Sequence, residues 1–448
     1  MNDYQRAIEF LDSFLNYEQI TAYSYPGAFS LDRVERLLEG LGNPHRKYPV
    51  LHVAGTKGKG STCAFTASIL RAAGLRTGLY TSPHLLSFRE RIQVDGRPIS
   101  EQDLAAVVER LRPLAGKELT YFEAVTVCAF LHFEKAGVEA AVIEVGMGGR
   151  LDATNVVAPK VTAITPVSLD HLPKLGTTVG QIAREKAGIL KRGILAVIAP
   201  QASEAMRVIE EAAALRGAVL HPVDREVRIE VRNVDTSGSL ATFETPVRRY
   251  QDLAVPLLGR HQLMNAAVAI RMAELFRGSG SLESSIREGI AATRWSGRCQ
   301  IIPGDPPVLL DGAQNAESAL ALRSAAEDLF PGRRVVLVVG ASTEKDLEGM
   351  ARIWGPWADR IILTQSKSPR AEPASRLQEV FSRFHPPAER SGSVREALQR
   401  AVEEASPREV VVVSGSLFVV GEALEALRSS TPPIASSQGI TASIPRKS

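Results

Sequence analysis

The sequence has only three cysteines, Cys63, Cys128 and Cys299. Their spacing fits neither a disulfide framework nor a zinc knuckle, and the odd number favours a reducing compartment. No run of about 18 apolar residues occurs, so we expect no membrane-spanning helix. The N-terminal MNDYQRAIEF carries acidic residues early and lacks the apolar core of a secretory signal. These absences predict a cytoplasmic protein.

The sequence also lacks an excess of charge of one sign. Its 53 basic and 50 acidic side chains give a formal net charge of +3, and no basic stripe is interleaved with aromatic residues. A nucleic-acid partner is therefore not expected. Hydrophobic residues make up 44% of the 448 residues, which is enough core for two or three domains.

Apolar strands alternate with amphipathic helices through most of the chain. This rhythm predicts an α/β fold in which a P-loop-type, mostly parallel, doubly wound sheet forms residues 1–297. Within it, residues of about 226–256 alternate apolar and polar side chains, which is typical of a β-meander. The rhythm restarts in a smaller Rossmann-like α/β domain at 298–430. The Ser/Pro-rich tail, 431–448, is predicted to be disordered.

The segment Gly55–Thr62 reads GTKGKGST and follows the apolar strand VLHVA. A strand that leads through glycines into a helix presents backbone N–H groups to an anion. Lys59 adds a positive charge, and Ser61 or Thr62 supplies a hydroxyl for Mg²⁺. The spacing differs from the common GxxxxGK[ST] loop, so the segment predicts phosphate binding without identifying the reaction.

Three further candidates follow predicted strands or lie on a helix. Glu144, at the end of AAVIE, is placed to reach Mg²⁺, and a solvated acid at a strand end is an equal alternative. Asp170 and His171 follow the next strand and suit a metal or a proton relay. For Lys186, which follows Glu185 on a helix, an exposed charge pair is the simplest interpretation of the local sequence.

Other features carry less information by themselves. Residues 81–84, TSPH, end a strand where substrate contacts are common, and Asn265 offers an amide to a base or to the core. Asp311 ends the strand PVLLD, and Arg370 suits an anion. GxSxG, HExxH and GxGxxG with a following acid are absent, so serine hydrolases, zincins and dinucleotide-binding proteins are not indicated.

Ten motifs, in order along residues 3–428, together resemble folylpolyglutamate synthase and dihydrofolate synthase of the Mur ligase superfamily. The motifs are GTKGKGST, TSPHL, EVGMGGRLDATN, SLDH, EKAGILK, GRHQLMNAAVA, SGR, LDGAQN, PRAEPA and VSGSLFVVGEA. The shortened glycine loop is this superfamily's own phosphate loop.

The resemblance implies an ATP-dependent amide ligase. ATP phosphorylates a carboxylate of dihydropteroate or a folate, and the amine of L-glutamate attacks the acyl phosphate. The implied cofactors are ATP and two Mg²⁺ ions. The expected partners are small-molecule substrates alone, without a nucleic acid or membrane, and the protein is expected to be a monomer.

The resemblance also assigns roles to matching residues. Lys59 contacts the β- and γ-phosphates, Ser61 and Glu144 hold one Mg²⁺, and His171 helps to hold a second and is catalytic. Lys186 matches a lysine that the family carbamylates, which replaces the surface interpretation. The implied nucleotide residues are Gly55, Thr56, Lys57, Gly58, Lys59, Gly60, Ser61, Thr62, Asn265, Arg298 and Asp311. The implied pteroate or folate residues are Ser82, Pro83, His84, Phe122 and Asp152.

Gln314 and Ser414 are assigned to the glutamate side. Gln314 departs from the family, which usually has histidine in DGAHNP, and an amide neither titrates nor carries charge. Three alternatives stay open beside the bifunctional enzyme: polyglutamylation alone, an inactive nucleotide-binding homologue, which Gln314 suggests, and a cell-wall Mur ligase. Only about fifty residues precede Gly55, which argues against the UDP-binding domain of the last.

Overall fold

The computed structural model describes residues 1–20, 30–170, 172–278, 280–385 and 387–430. The predicted disordered tail, 431–448, lies outside these residues, and so does His171.

A large sheet organises the first part of the chain. Its strands are β1 (Val50–Ala54), β2 (Thr77–Tyr80), β3 (Ile92–Val94), β4 (Arg97–Pro98), β5 (Ala140–Glu144), β6 (Val161–Ile164), β7 (Leu195–Ile198) and β8 (Val219–Pro222). Their spatial order is β4-β3-β2-β5-β1-β6-β7-β8. The six strands from β2 to β8 in this order are parallel, and β3 and β4 extend the sheet by antiparallel pairing.

Helices cover both faces of this sheet. They are α1 (Asp3–Asp12), α2 (Leu31–Gly40), α3 (Lys59–Ala72), α4 (Glu101–Leu111), α5 (Tyr121–Ala136), α6 (Leu172–Leu175), α7 (Val179–Lys186), α8 (Ser203–Arg216), α9 (Val223–Glu226), α10 (His261–Arg277) and α11 (Glu283–Ala292). Since side chains alternate along a strand, Val50 joins the apolar cluster around α5, whereas Leu51 and Val53 join the cluster around α3 and α10. Burial on both faces explains why the strands read as continuous apolar runs.

A small antiparallel sheet packs on the second of these clusters. It consists of β9 (Arg228–Asp235), β10 (Gly238–Glu244) and β11 (Arg249–Val255), in the order β11-β10-β9. Phe243 and Tyr250 are buried in the cluster that contains α3 and α10.

The C-terminal part has its own sheet and core. The strands are β12 (Gln300–Ile302), β13 (Val308–Leu310), β14 (Arg334–Val339), β15 (Arg360–Leu363), β16 (Glu389–Arg390) and β17 (Glu409–Ser414). The helices are α12 (Ala316–Leu329), α13 (Leu347–Trp354), α14 (Ala374–Phe381), α15 (Val394–Glu404) and α16 (Leu417–Ser430). The order is β12-β13-β17-β14-β15-β16, parallel except for β12. The predicted fold class is confirmed.

The sheet order also determines where a site forms. β1 lies between β5 and β6 and is parallel to both. The loops that follow these three strands therefore meet at one edge, where open α/β sheets bind their ligands.

Candidate functional site

The glycine-rich loop after β1 has the geometry of an anion site. Gly55 and Gly58 adopt φ values of +146° and +83°, and Gly58 is the N-cap of α3. A Cβ atom on Gly55 would lie 1.8 Å from Oγ1 of Thr165, and one on Gly58 would lie 2.3 Å from Oδ1 of Asn265. Glycine is required at both positions, and the loop leaves the N–H groups at the start of α3 available to an anion.

Asn265 reaches this loop from α10, although 207 residues separate it from Gly58 in the sequence. Its Nδ2 donates to Oε1 of Gln262 at 2.9 Å. On the same side, a Cβ atom on Gly60 would lie 3.1 Å from the ring of Trp295. The predicted nucleotide residue Asn265 is thus in contact with the phosphate loop, and Trp295 is a neighbour that the motifs did not single out.

Glu144 lies between the phosphate loop and the segment after β2. Its Oε1 is 4.0 Å from Nζ of Lys59, and its Oε2 accepts the backbone N–H of Ser82 at 3.1 Å. Burial raises the pKa of the Glu144 carboxyl, and the neighbouring Lys59 opposes that rise. The alternative of a solvated acid is therefore wrong, because the side chain is enclosed.

The chemistry of these groups fits Mg²⁺. Ser61 is buried in the first turn of α3. A hydroxyl and a carboxylate are hard oxygen donors, and Mg²⁺ takes one or two such ligands together with phosphate oxygens and water. No cluster of three or more His, Cys, Asp or Glu side chains occurs within the described residues.

Lys186 ends α7 and lies beneath the phosphate loop. Its Nζ donates to the carbonyl oxygen of Gly55 at 2.8 Å. Burial lowers the pKa of this lysine to about 7, and the positive charge of Lys59 adds to the effect. The adjacent Glu185 instead pairs with Arg150, at 2.9 Å. The interpretation of Lys186 as half of an exposed charge pair is wrong.

Asp170, after β6, joins the two α/β parts. Its Oδ2 is 3.1 Å from Nζ of Lys57 in the phosphate loop, and its Oδ1 is 2.7 Å from Nζ of Lys345 in the C-terminal part. Burial lowers the pKa of Lys57, and Asp170 opposes this by attraction. The structure therefore gives Asp170 two lysine partners, whereas the sequence suggested a metal or a proton relay.

A cavity of about 190 Å³ opens between the two parts. Ser82, Pro83, Phe122 and Asp152 line one wall, and Gln314 lines the other. A Cβ atom on Gly146 would lie 2.4 Å from Cζ of Phe122, so the Phe122 ring is in direct contact with the loop that follows β5. Arg370, which the sequence marked as a candidate for an anion, also lines this cavity, together with residues that no motif had marked: Glu18, Lys174, Lys345 and Ser416.

His84 lies away from this group. It lines a neighbouring pocket together with Trp295 and Arg298, and its Nδ1 accepts from Nε of Arg91 at 2.9 Å. Burial, assisted by the charge of Arg91, lowers the pKa of His84 to about 4. Arg91 in turn binds both carboxylate oxygens of Glu18, at 2.8 and 2.6 Å.

Asp311 is held at the start of the C-terminal part. Its carboxylate accepts the backbone N–H groups of Cys299 and Ala313, each at 2.9 Å. Ser414 is fully buried, and its Oγ donates to the carbonyl oxygen of Asp311 at 2.8 Å. This bond joins the ends of β13 and β17, whereas Ser416, two residues later, reaches the cavity.

Across the described ranges, no helix is both long and apolar enough to cross a membrane.

Comparisons with known proteins agree with this geometry. The family model of the Mur ligase middle domain matches residues 53–273, and that of the Mur ligase glutamate ligase domain matches residues 297–417. A dihydrofolate synthase/folylpolyglutamate synthase of Bacillus subtilis is 34% identical over 89% of this chain and 95% of its own length. A probable bifunctional folylpolyglutamate synthase/dihydropteroate synthase of Haloferax volcanii is 37% identical over 94% of this chain. The matched region covers 50% of the length of that protein.

Solved structures are similar over nearly the whole chain. Folylpolyglutamate synthase of Mycobacterium tuberculosis, complexed with ADP and AMPPCP, superposes with a TM-score of 0.87 at 32% identity, over 96% of this chain and 99% of that one. E. coli FolC in complex with DHPP and ADP gives a TM-score of 0.84 at 31% identity, over 94% and 98%. This chain belongs to the dihydrofolate synthase/folylpolyglutamate synthase family of Mur ligases, which are ATP-dependent, amide-forming ligases.

Proposed function

We propose that the chain uses ATP to join L-glutamate to dihydropteroate and to the γ-carboxyl group of folates. The observation that carries this proposal is the position of Glu144. One carboxylate oxygen faces Lys59 of the phosphate loop, and the other accepts from Ser82 on the cavity wall. The phosphate end of ATP and the carboxylate end of a pteroate in the cavity would therefore meet at this side chain.

The proposed reaction has two steps. A carboxylate oxygen of the pteroate attacks the γ-phosphorus of ATP, and the bond from that phosphorus to ADP breaks. The glutamate amine then attacks the acyl carbon, loses a proton, and expels inorganic phosphate as the amide forms. Lys59 and the N–H groups of α3 stabilise the charge that develops on the transferred phosphoryl group. Closure of the cavity between the two parts protects the acyl phosphate from water.

We also propose two Mg²⁺ sites. Ser61 and Glu144 would hold one ion, and His171, outside the described residues, would help to hold a second beside a carbamylated Lys186. Mg²⁺ held at these residues would neutralise charge on the crowded phosphate oxygens. Asn265, Arg298 and Asp311 would bind the nucleoside and phosphate portions of ATP between residues 1–297 and the glutamate ligase domain, 298–430.

The C-terminal wall of the cavity is proposed to bind glutamate. Lys345 and Arg370 line it beside Gln314, and cationic side chains suit the carboxylates of glutamate. The pterin ring would lie against Phe122 and Asp152, near Ser82 and Pro83. Since Ser414 is enclosed and bonded to Asp311, its expected role in binding glutamate would be indirect, through the position of that strand end.

Two ligation assays test the proposal. ATP-dependent incorporation of labelled glutamate is measured with dihydropteroate and, separately, with tetrahydrofolate, while ADP release is followed. Product from both acceptors is expected. Product from tetrahydrofolate alone would reduce the function to polyglutamylation, and nucleotide binding without product from either would identify an inactive homologue.

A further inference from the structure

A chain of hydrogen bonds leads from the centre of the sheet to the proposed pteroate cavity. Nε2 of His52, on β1, lies 2.8 Å from Oγ1 of Thr154. The same Oγ1 lies 2.5 Å from Oδ1 of Asp152, which lines the cavity. All three side chains are buried, and His52 and Thr154 are fully enclosed.

The direction of these bonds follows from counting protons. A threonine hydroxyl has one proton, and at 2.5 Å from a carboxylate oxygen it must donate there, because two unprotonated oxygens would repel each other. The hydroxyl oxygen therefore accepts from His52, which must carry its proton on Nε2. Burial, with a smaller contribution from Lys191, lowers the pKa of His52 to about 3, so this ring is neutral at pH 7. Nδ1 of His52 has no partner among the described residues.

Asp152 receives further bonds from its own loop. Its Oδ1 accepts the backbone N–H of Thr154 at 3.0 Å, and its Oδ2 accepts the backbone N–H of Met147 at 2.9 Å. Burial raises the pKa of the Asp152 carboxyl, and the donors on both oxygens oppose that rise and prevent the carboxylate from rotating. The hydroxyl of Thr154 is the side-chain donor in this set, and it links the carboxylate to the strand that leads into the phosphate loop.

We propose that His52 and Thr154 are positioning residues for pteroate binding: they orient the Asp152 carboxylate and keep it charged for the N–H donors of a pterin ring. The inference rests on the proposed function, because Asp152 has a ligand only if the cavity binds a pteroate. Neither residue needs to touch the substrate, since both act through the carboxylate. Both hydrogen bonds involve Thr154 Oγ1, so its loss removes both links at once. Hydrogen bonds in such a series also strengthen one another.

The test compares two substitutions at one position in the full-length enzyme. Thr154→Val keeps the branched shape and removes the hydroxyl, whereas Thr154→Ser keeps the hydroxyl and removes a methyl group. Since a hydrogen bond to a charged group contributes about tenfold or more to an equilibrium constant, Thr154→Val is expected to raise KM for dihydropteroate roughly tenfold. KM for ATP stays unchanged, and Thr154→Ser remains within about twofold of the wild type, because one hydroxyl replaces another.

The outcomes separate this inference from the proposed function. A wild-type enzyme that makes no product from dihydropteroate contradicts the proposed function itself. An active wild type whose Thr154→Val variant keeps its KM for dihydropteroate, or whose KM values for ATP and dihydropteroate rise equally, overturns the positioning role. A failure of Thr154→Val to fold leaves a second measurement, the ¹⁵N spectrum of histidine-labelled wild type. A neutral His52 protonated on Nε2 is expected, and protonation on Nδ1 would overturn the proposal.

Discussion

The buried amine of Lys186 gives the sharpest test of the site's electrostatics. Its pKa is lowered to about 7 from an ordinary value of 10.5, chiefly by burial. At pH 7 about half of these side chains are then neutral, against roughly 0.03% for an exposed lysine. A carbamate forms when a neutral amine attacks CO₂, with a new N–C bond and release of one proton. The buried environment therefore increases the reactive form by about a thousandfold.

The lowered pKa of Lys186 also makes the free energy of unfolding depend on pH. Between about pH 7 and pH 10.5 the unfolded lysine binds more protons than the folded one, so stability rises with pH in this interval. Below pH 7 the full cost applies, and the difference in pKa corresponds to at most about 5 kcal/mol at 1.36 kcal/mol per pKa unit. Lys186→Met removes the charge and hence this pH dependence, although it also loses the bond to Gly55.

The assay uses wild type, Lys186→Met and, as a control, Lys160→Met at an exposed position. In CO₂-free buffer the unfolding midpoint of the wild type should rise relative to Lys186→Met from pH 6 to pH 9. With ¹³C-bicarbonate at pH 8, wild type and the control should show a carbamate signal that Lys186→Met lacks. Lys186→Met should also lose at least about a hundredfold in kcat, as expected when a positioned charge is removed. A pH-independent difference in midpoint together with no carbamate signal in the wild type would show that the Lys186 amine is neither shifted in pKa nor carbamylated.

Three other substitutions test separate parts of the site. Lys59→Ala should lower kcat by about a hundredfold or more while circular dichroism stays unchanged, because this side chain serves phosphate charge rather than the core; near-wild-type turnover would contradict the phosphate-loop assignment. Gln314→His should preserve or raise the rate of glutamate ligation, and a loss of activity would show that the pocket has been rebuilt around the amide. Asp170→Asn leaves the half-buried Lys57 and the largely enclosed side chain of Lys345 without their shared carboxylate. It should destabilise their contact by about 3 kcal/mol, reducing kcat/KM by about a hundredfold. The control for Asp170→Asn is Glu348→Gln, in an exposed pair with Arg352, which should change kcat/KM by less than about twofold. Equal effects of the two substitutions would contradict the role of Asp170 as a link between Lys57 and Lys345.

Local features of the fold were predictable from the sequence. The phosphate loop could be recognised because a buried strand, a glycine turn and a helix start are adjacent in the chain, and each has its own sequence signal. The predicted mostly parallel sheet followed from strands that are apolar on both faces, such as β1 and β5. Glu144 could be proposed as a ligand from its place at a strand end, but its burial between Lys59 and Ser82 depends on which strands are neighbours.

Contacts between distant segments were not predictable in this way. Asp170 and Lys345 are 175 residues apart, and no local pattern marks them as partners. In the sequence, Lys186 resembles a surface lysine on an amphipathic helix. It is enclosed because the phosphate loop packs against the end of α7. Ser414 and Ser416 have the same chemistry, and their different roles follow from where β17 ends. His84 was expected near the pterin by resemblance, whereas its bond to Arg91 turns it toward a neighbouring pocket.

In the proposed reaction, a pteroate carboxylate is activated by phosphorylation before glutamate attacks. Dihydropteroate labelled with ¹⁸O in its carboxylate tests this directly, because the oxygen that attacks the γ-phosphorus leaves with the phosphate. The wild-type enzyme with ATP and L-glutamate is expected to transfer one ¹⁸O atom per turnover into inorganic phosphate, detected by ³¹P NMR or mass spectrometry. Amide formation with unlabelled phosphate would exclude the acyl phosphate intermediate.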